Sequence, residues 1–361
     1  MENDVYMNAI HRFVMDGKPV SCEPYGCGHI NHTFLITTDA GKRYILQMLN
    51  GGVFQDPEGL MENVVAITRH IAGKTADPRG SLHLNPTVDG RLYTRGDKGN
   101  MWRLYDFVEG SICLQTPETM EDFYQSAVAF GTFQRQLADF PAETLHETIP
   151  NFHNTPDRYR KFHEALRADV CGRAKEVGPE IEFVLDREGE AGALQRMRDS
   201  GELPTRVTHN DTKLNNVMLD EKTRKPLCVI DLDTVMPGLA AYDFGDSIRF
   251  GAATAAEDEK DLTKMEMSLD AFETYTRGFI TACPDLTERE KQTLPLGAKI
   301  MTLECGVRFL TDYLEGDKYF AIHRPGHNLD RARTQFKLVG DMEEKWDRMN
   351  AIVAKVSGER V

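Results

Sequence analysis

The second half of the chain carries apolar residues at helical spacing almost throughout, and one strand-like island, Arg206–Met236, breaks that pattern. The island reads Val207-Thr208-His209-Asn210-Asp211-Thr212-Lys213-Leu214-Asn215-Asn216-Val217-Met218-Leu219, then Val229-Ile230-Asp231-Leu232-Asp233. Two apolar stretches flank polar clusters, so carboxylates and amides must sit at the ends of short strands inside a helical body.

Upstream the character reverses. Thr33–Thr37, Arg43–Leu49, Gly90–Thr94 and Met101–Val108 carry β-branched and aromatic residues between Gly and Asp turn signals and are predicted strands. A helix is predicted over Glu58–Ala72, where Leu60, Val64, Ile67 and Ile71 share a face. From Pro117 onward, Phe123, Ala127, Phe130, Phe133, Leu137 and Phe140 form a helical stripe. Thr155-Pro156 reads as an N-cap followed by proline, and Thr287-x-x-Glu290 as a capping box. The expected fold is α+β and bilobal, with a small antiparallel β-sheet lobe over residues 1–108 and a larger, mostly helical lobe over 109–361.

Composition narrows the function. With 43 Lys+Arg against 57 Asp+Glu the formal charge is −14, which excludes a general binder of nucleic-acid backbones. At 40% apolar the chain can bury a sizeable core. Met1-Glu2-Asn3-Asp4 has neither the basic nor the apolar region of a secretory signal, and no uncharged apolar run reaches the about 18 residues of a membrane span. Seven cysteines, odd in number, scattered and without a C-x-x-C pair, read as reduced thiols and mostly small core residues. The expectation is a cytoplasmic protein without nucleic-acid or membrane partners, for which a monomer is compatible.

An Asp, an Asn five residues later and a second Asp at the next strand's end are what phosphoryl transfer needs. One carboxylate orients or deprotonates the attacking hydroxyl, and oxygen ligands hold Mg²⁺ on the nucleotide phosphates. Asp211, Asn216 and Asp231 fit the H-x-D-x-x-x-x-N element of kinase catalytic loops and the metal-binding Asp that follows it. The plainer alternative makes them turn residues, and the combined spacing argues against it. Tyr25-Gly26-Cys27-Gly28-His29-Ile30-Asn31-His32-Thr33 lies where a phosphate-covering turn belongs, with Gly26 and Gly28 allowing close backbone approach. The same segment contains Cys22, Cys27, His29 and His32, a zinc reading that its uncommon spacing disfavours. Gly245-Asp246-Ser247 resembles a serine-hydrolase string, with His323 or His327 as base, but lacks a strand-to-nucleophile turn. Asp243 is as well explained as a helix-start carboxylate.

At Asp211–Asn216 and Asp231 the sequence resembles the aminoglycoside phosphotransferase and choline kinase-like superfamily, relatives of protein kinases. Gly28-His29-Ile30-Asn31, Tyr44-Ile45-Leu46-Gln47, Thr208–Asn216, Ile230–Thr234, Asp243–Ser247, Glu304-Cys305-Gly306 and Tyr313–Asp317 resemble the bacterial N-acetylhexosamine 1-kinase family over nearly the whole chain. The resemblance implies a protein kinase-like fold, with a nucleotide-binding first lobe, a catalytic and sugar-binding second lobe, and chemistry where they meet. It implies ATP- and Mg²⁺-dependent phosphorylation of the anomeric hydroxyl of N-acetylglucosamine or N-acetylgalactosamine. Asp211 would be the base, with Lys213 supplying a cation near the transferred group, and Asn216 and Asp231 would hold Mg²⁺. His29, Asp246, Arg308 and Tyr319 would meet the sugar. Gly26, Gly28, Gln47 and main-chain groups near Tyr105 and Phe107 would meet the nucleotide.

One departure from the wider superfamily stands out: Gln47 occupies the strand position where kinases place a phosphate-binding lysine, and Gln offers no charge. The family it resembles shares the Gln. Choline, homoserine or aminoglycoside kinases are the rival enzymes, and an inert sugar- or nucleotide-binding pseudokinase is the rival class, motivated by Gln47 and opposed by intact Asp211, Asn216 and Asp231.

Overall fold

A computed structural model describes residues 8–26, 30–97 and 99–358. Strands β1 (Pro19–Pro24), β2 (His32–Thr38), β3 (Arg43–Met48), β4 (Thr94–Arg95) and β5 (Met101–Asp106) form one antiparallel sheet in the order β1-β2-β3-β5-β4. Alternation along the strands sorts the side chains. Ile36, Tyr44, Leu46, Trp102 and Leu104 bury one face with Ala9, Ile10 and Phe13. Gln47 and Arg103 pair across β3 and β5 on the other. Helix α1 (Pro57–Ala72) starts where the Asp56 carboxylate accepts the Gly59 N–H at 3.0 Å and Pro57 needs no partner.

The helices that frame the rest are α2 (Met120–Gln136), α3 (Thr155–Ala168), α4 (Ala240–Gly251), α5 (Leu269–Ala282), α6 (Leu294–Glu315) and α7 (His327–Glu344). Strand β6 (Ser111–Cys113) follows β5 in the chain, and the β-island resolves into β7 (Arg206–Thr208), β8 (Val217–Asp220), β9 (Pro226–Val229) and β10 (Met236–Gly238). The chain forms two compact units. The first comprises residues up to Ile112 with Asp139–Pro150 and Met218–Met236, and the second holds Cys113–Ala138, Asn151–Val217 and the chain from Pro237.

In the second unit, α4 crosses α6 glycine to glycine. A Cβ on Gly245 would lie 2.4 Å from the Gly297 carbonyl oxygen, and one on Gly297 would lie 2.3 Å from that of Ala241. Larger residues would wedge the helices apart. This close crossing sets the Asp243–Arg249 turns of α4 beside the stretch of α6 that carries Glu304 and Arg308.

Several expectations need correction. Of the Gly90–Thr94 strand only Thr94 is extended, as the start of β4, because Asp89-Gly90 closes a turn at Thr87–Arg91 instead. The cap of α3 is Asn154, whose side chain accepts the Asp157 N–H at 3.2 Å, while Thr155 opens the helix. The stripe helix α2 ends at Gln136, short of Phe140. Of the described cysteines only Cys228 and Cys283 are buried, and all are free thiols. The Thr287–Glu290 capping box forms as predicted. Among the described residues no helix is long and apolar enough to cross a membrane.

Candidate active site

In the second unit, β7 leads into His209-Asn210-Asp211, and buried carboxylates of α4 fix that loop. Asp243 accepts the main-chain N–H of His209 (2.9 Å) and Asn210 (2.8 Å) and the Gln134 amide (2.6 Å). Asp246 Oδ2 accepts the Thr212 N–H at 3.0 Å. Edge-on contacts with Phe130 and Phe133 hold the His209 ring. The backbone pays locally: Asn210 is left-handed at φ 66°.

Held this way, Asp211 presents its carboxylate to two partners. Lys213 Nζ lies 2.8 Å from Oδ1, and Asn216 Nδ2 donates to Oδ2 at 3.2 Å and to the Asp211 carbonyl at 2.8 Å. Burial alone would discharge Lys213, but Asp211 and Asp246 outweigh it and hold its ammonium above the ordinary lysine range. Because the Asn216 nitrogen is spent on Asp211, its Oδ1 forms the opposite branch of the amide, an oxygen suited to a hard cation.

Asp246 has its other oxygen engaged by Arg249, at 3.1 Å from Nε and 3.0 Å from Nη2, and Arg249 reaches on to Glu257 at 2.8 Å. Cys305, half-buried and with its thiol pushed up to about 11 by desolvation, feels Arg249, Glu257, Arg308 and Asp246, which puts Arg308 in the same neighbourhood. The Arg308 guanidinium lies 5.9 Å from the Tyr319 ring and 5.3 Å from that of Phe320. Tyr319 is 72% exposed. The serine-hydrolase alternative fails: Ser247 is buried within α4, donates to the Thr212 carbonyl at 2.7 Å and accepts the Tyr275 hydroxyl at 2.6 Å.

In the first unit, the charge missing at Gln47 stands beside it. Gln47 Oε1 accepts Arg103 Nε at 3.0 Å and Nη2 at 2.8 Å, and its nitrogen donates to Thr33 Oγ1 at 3.1 Å. Arg103 Nη1 meets Asp233 Oδ1 at 2.5 Å, a pair only 1% and 2% exposed. Asp233 Oδ2 takes the Asn31 amide at 2.6 Å, and the Asp233 carbonyl takes Thr148 Oγ1 at 2.8 Å. These bonds fix the single turn Leu232–Thr234 that Asp231 opens, exposed and left-handed at φ 58°.

A family model described as phosphotransferase enzyme family matches residues 21–271, which takes in β2 to β5, both halves of the island and α4. The chain belongs to the phosphotransferase enzyme family. Solved structures share its fold at low identity. An aminoglycoside phosphotransferase from Alicyclobacillus acidocaldarius has a TM-score of 0.63 and 13% identity, with 97% of this chain and 95% of that one covered. A microcompartment-associated aminopropanol kinase gives 0.61, 14%, 96% and 98%. A Plasmodium vivax ethanolamine kinase gives 0.54, 12%, 87% and 82%.

Within this phosphotransferase, the predicted residues Asp211, Lys213, Asn216 and Asp246 come together in the second unit, and Arg308 meets Tyr319. Gln47 is tied to Arg103 and Thr33. Gly26 is left-handed at φ 80°, and among the described residues nothing lies within 4 Å of where a Cβ would sit. Cys27, Gly28 and His29, and with them the zinc alternative, lie outside the described residues. Among the described residues no cluster of His, Cys, Asp and Glu could hold a metal ion by itself. Sequence reasoning missed Arg103, Asp233, Arg249, His153 and Glu304 as supporting residues. A lone arginine inside the apolar run Met101–Tyr105 was the available signal, since a buried charge demands a partner.

Proposed function

We propose that this phosphotransferase is an ATP- and Mg²⁺-dependent kinase that transfers a phosphoryl group to the anomeric hydroxyl of N-acetylglucosamine or N-acetylgalactosamine. The observation that carries the choice of acceptor is cationic. Arg158 and Arg308 bear on one another, Arg308 near the Asp246–Arg249 pair and Arg158 facing Glu304; Arg158 Nη2 donates to the Phe152 carbonyl at 2.6 Å, and its buried Nε has no hydrogen-bond partner among the described residues. Side chains of this sign repel a protonated amino alcohol or aminoglycoside and suit hydroxyl and acetamide oxygens, with Tyr319 and Phe320 offering apolar surface to a sugar ring.

Asp211 accepts or orients the O1 proton. The ring oxygen makes an anomeric hydroxyl more acidic than an ordinary alcohol, so a positioned carboxylate suffices. Lys213 keeps a cation beside Asp211 for the charge that develops on the transferred group. Asn216 Oδ1 and the exposed Asp231 carboxylate are hard oxygen donors that would hold Mg²⁺, which supplies charge neutralisation on the phosphates. For the adenine, the Asp106 and Phe107 N–H groups are already spent on the His83 and Arg43 carbonyls and the Val108 carbonyl accepts Ser111 Oγ at 2.6 Å, so the contact falls to other main-chain groups of this segment.

The test is a coupled ADP-release assay over N-acetylglucosamine, N-acetylgalactosamine, glucose, choline and kanamycin, with and without Mg²⁺. Turnover on the two N-acetylhexosamines that requires Mg²⁺ is expected. Activity confined to choline or kanamycin would overturn the sugar reading.

A further inference from the structure

We infer that His153 is held as an imidazolium and serves as a positioning residue, clamping the left-handed Asn210 peptide that delivers Asp211; the inference rests on reading that loop as the site of phosphoryl transfer. His153 Nδ1 lies 3.1 Å from Glu304 Oε1, and Nε2 lies 3.0 Å from the Asn210 carbonyl oxygen. A main-chain carbonyl only accepts, and so does a carboxylate. Both ring nitrogens must therefore donate, and a neutral imidazole has a single N–H.

The surroundings keep the proton on the ring. Glu304, on α6, takes Thr155 Oγ1 at 2.7 Å on its other oxygen. Despite burial that raises it, its carboxyl is held below the usual range by His153, Arg158 of α3 and Thr155. Asp246 of α4 adds a second negative field at the ring, and Tyr242 of α4 packs its own ring 5.4 Å away. Burial works against the charge on His153, but Glu304, the Asn210 carbonyl and Asp246 outweigh it, so the ring titrates above the ordinary histidine value. The His153 backbone is fixed in turn, its carbonyl accepting Gln195 Nε2 at 3.1 Å.

The Asn210 peptide is thus gripped from both sides, its N–H by Asp243 and its carbonyl by His153. A residue held at positive φ persists only when its surroundings over-determine it. Because the folded-state value is raised, the clamp is complete below the ordinary histidine value and is lost as pH rises through the raised one. Turnover should fall on the same limb.

The test uses the full chain in two measurements. Imidazole ¹⁵N shifts of His153, assigned by its loss in H153Q, are followed between pH 5 and 10; kcat profiles are recorded for the wild type, H153Q and E304Q on whichever acceptor turns over. A doubly protonated ring at neutral pH is expected, with an alkaline limb of kcat at the same midpoint. E304Q should shift that limb to lower pH, and H153Q should lose it, with kcat lowered about tenfold or more. A neutral ring at pH 7, or an unchanged limb in H153Q, would overturn the inference. The shifts need no substrate, so failure of every acceptor would sink the proposed activity while leaving the ring's charge decided. Should H153Q not fold, the wild-type titration and E304Q still decide.

Discussion

Asn210 in the second unit, next to Asp211, and Asp231 in the first, itself an expected metal ligand, both sit at positive φ, 66° and 58°, yet the chain secures them by different means. Around Asn210 the work is distributed: Asp243 collects three N–H donors, Thr208 Oγ1 donates to the Asn210 side chain, and Thr212 donates to the neighbouring Asp246. Around Asp231 it is concentrated in one buried pair, Arg103–Asp233, with neutral amides filling the remaining positions. Distributed bonds degrade by steps. A buried ion pair fails at once, because losing either partner strands the other's charge in a dry interior.

The largest effect should come from Asp211, the proposed proton acceptor that the distributed network holds. Asp211→Asn keeps the loop's bonds but removes the proton acceptor, and kcat should fall by about 10²- to 10⁴-fold with nucleotide binding nearly intact by calorimetry. Full turnover would sink the assignment. Next, Arg103→Met should destabilise by about 3–5 kcal/mol in urea unfolding, since Asp233 is left uncompensated. Arg103→Met combined with Asp233→Leu should recover much of that loss. Asp243→Asn retains one acceptor oxygen and should cost only about 1–3 kcal/mol. If Asp243→Asn proves the more damaging of the two, the contrast between concentrated and distributed support is wrong.

The same contrast explains what could be read from the sequence. Asp211, Lys213, Asn216, Asp243 and Asp246 fall within two short strings: local spacing marks Asp211 and Asn216, the resemblance adds Lys213 and Asp246, and Asp243 is as well explained as a helix-start carboxylate. The α+β layout followed from a change of period. Arg103 and Asp233 are 130 residues apart, and only the β3–β5 register, with Gln47 opposite Arg103, explains why a charge can sit in that strand. Likewise His153 and Glu304 are 151 residues apart, and their pairing depends on α3 packing against α6, where Thr155 takes the other Glu304 oxygen. The Thr155 cap was misassigned because Asn and Thr are both good caps, and tertiary structure took the Thr155 hydroxyl for Glu304 instead.

Smaller effects sharpen the distributed side. Lys213→Ala removes the cation beside Asp211 while Asn216 stays on the other oxygen, so kcat should drop about 10- to 100-fold with a lesser change in KM. A rise in KM with kcat unchanged would contradict a role in the transition state.

The smallest effect belongs to Asp312, which repeats the Asp243 device farther along the second unit. Asp312 is buried, and its carboxylate accepts the successive N–H groups of Lys318 (2.8 Å), Tyr319 (2.8 Å) and Phe320 (2.9 Å) and the Asn328 amide at 2.8 Å. The loop carrying exposed Tyr319 is therefore fixed through its backbone rather than through its ring, and Arg308 meets rings already in place. Asp312→Asn should keep the fold and part of the N–H capture while letting the 318–320 stretch loosen. The acceptor KM should rise by a few-fold with kcat and nucleotide affinity nearly constant, because only ground-state binding of the acceptor is touched. Tyr319→Phe, which keeps the ring, should change KM less than Asp312→Asn does. The reverse order would mean that the Tyr319 hydroxyl, and not the carboxylate-held loop, decides how the acceptor is seated.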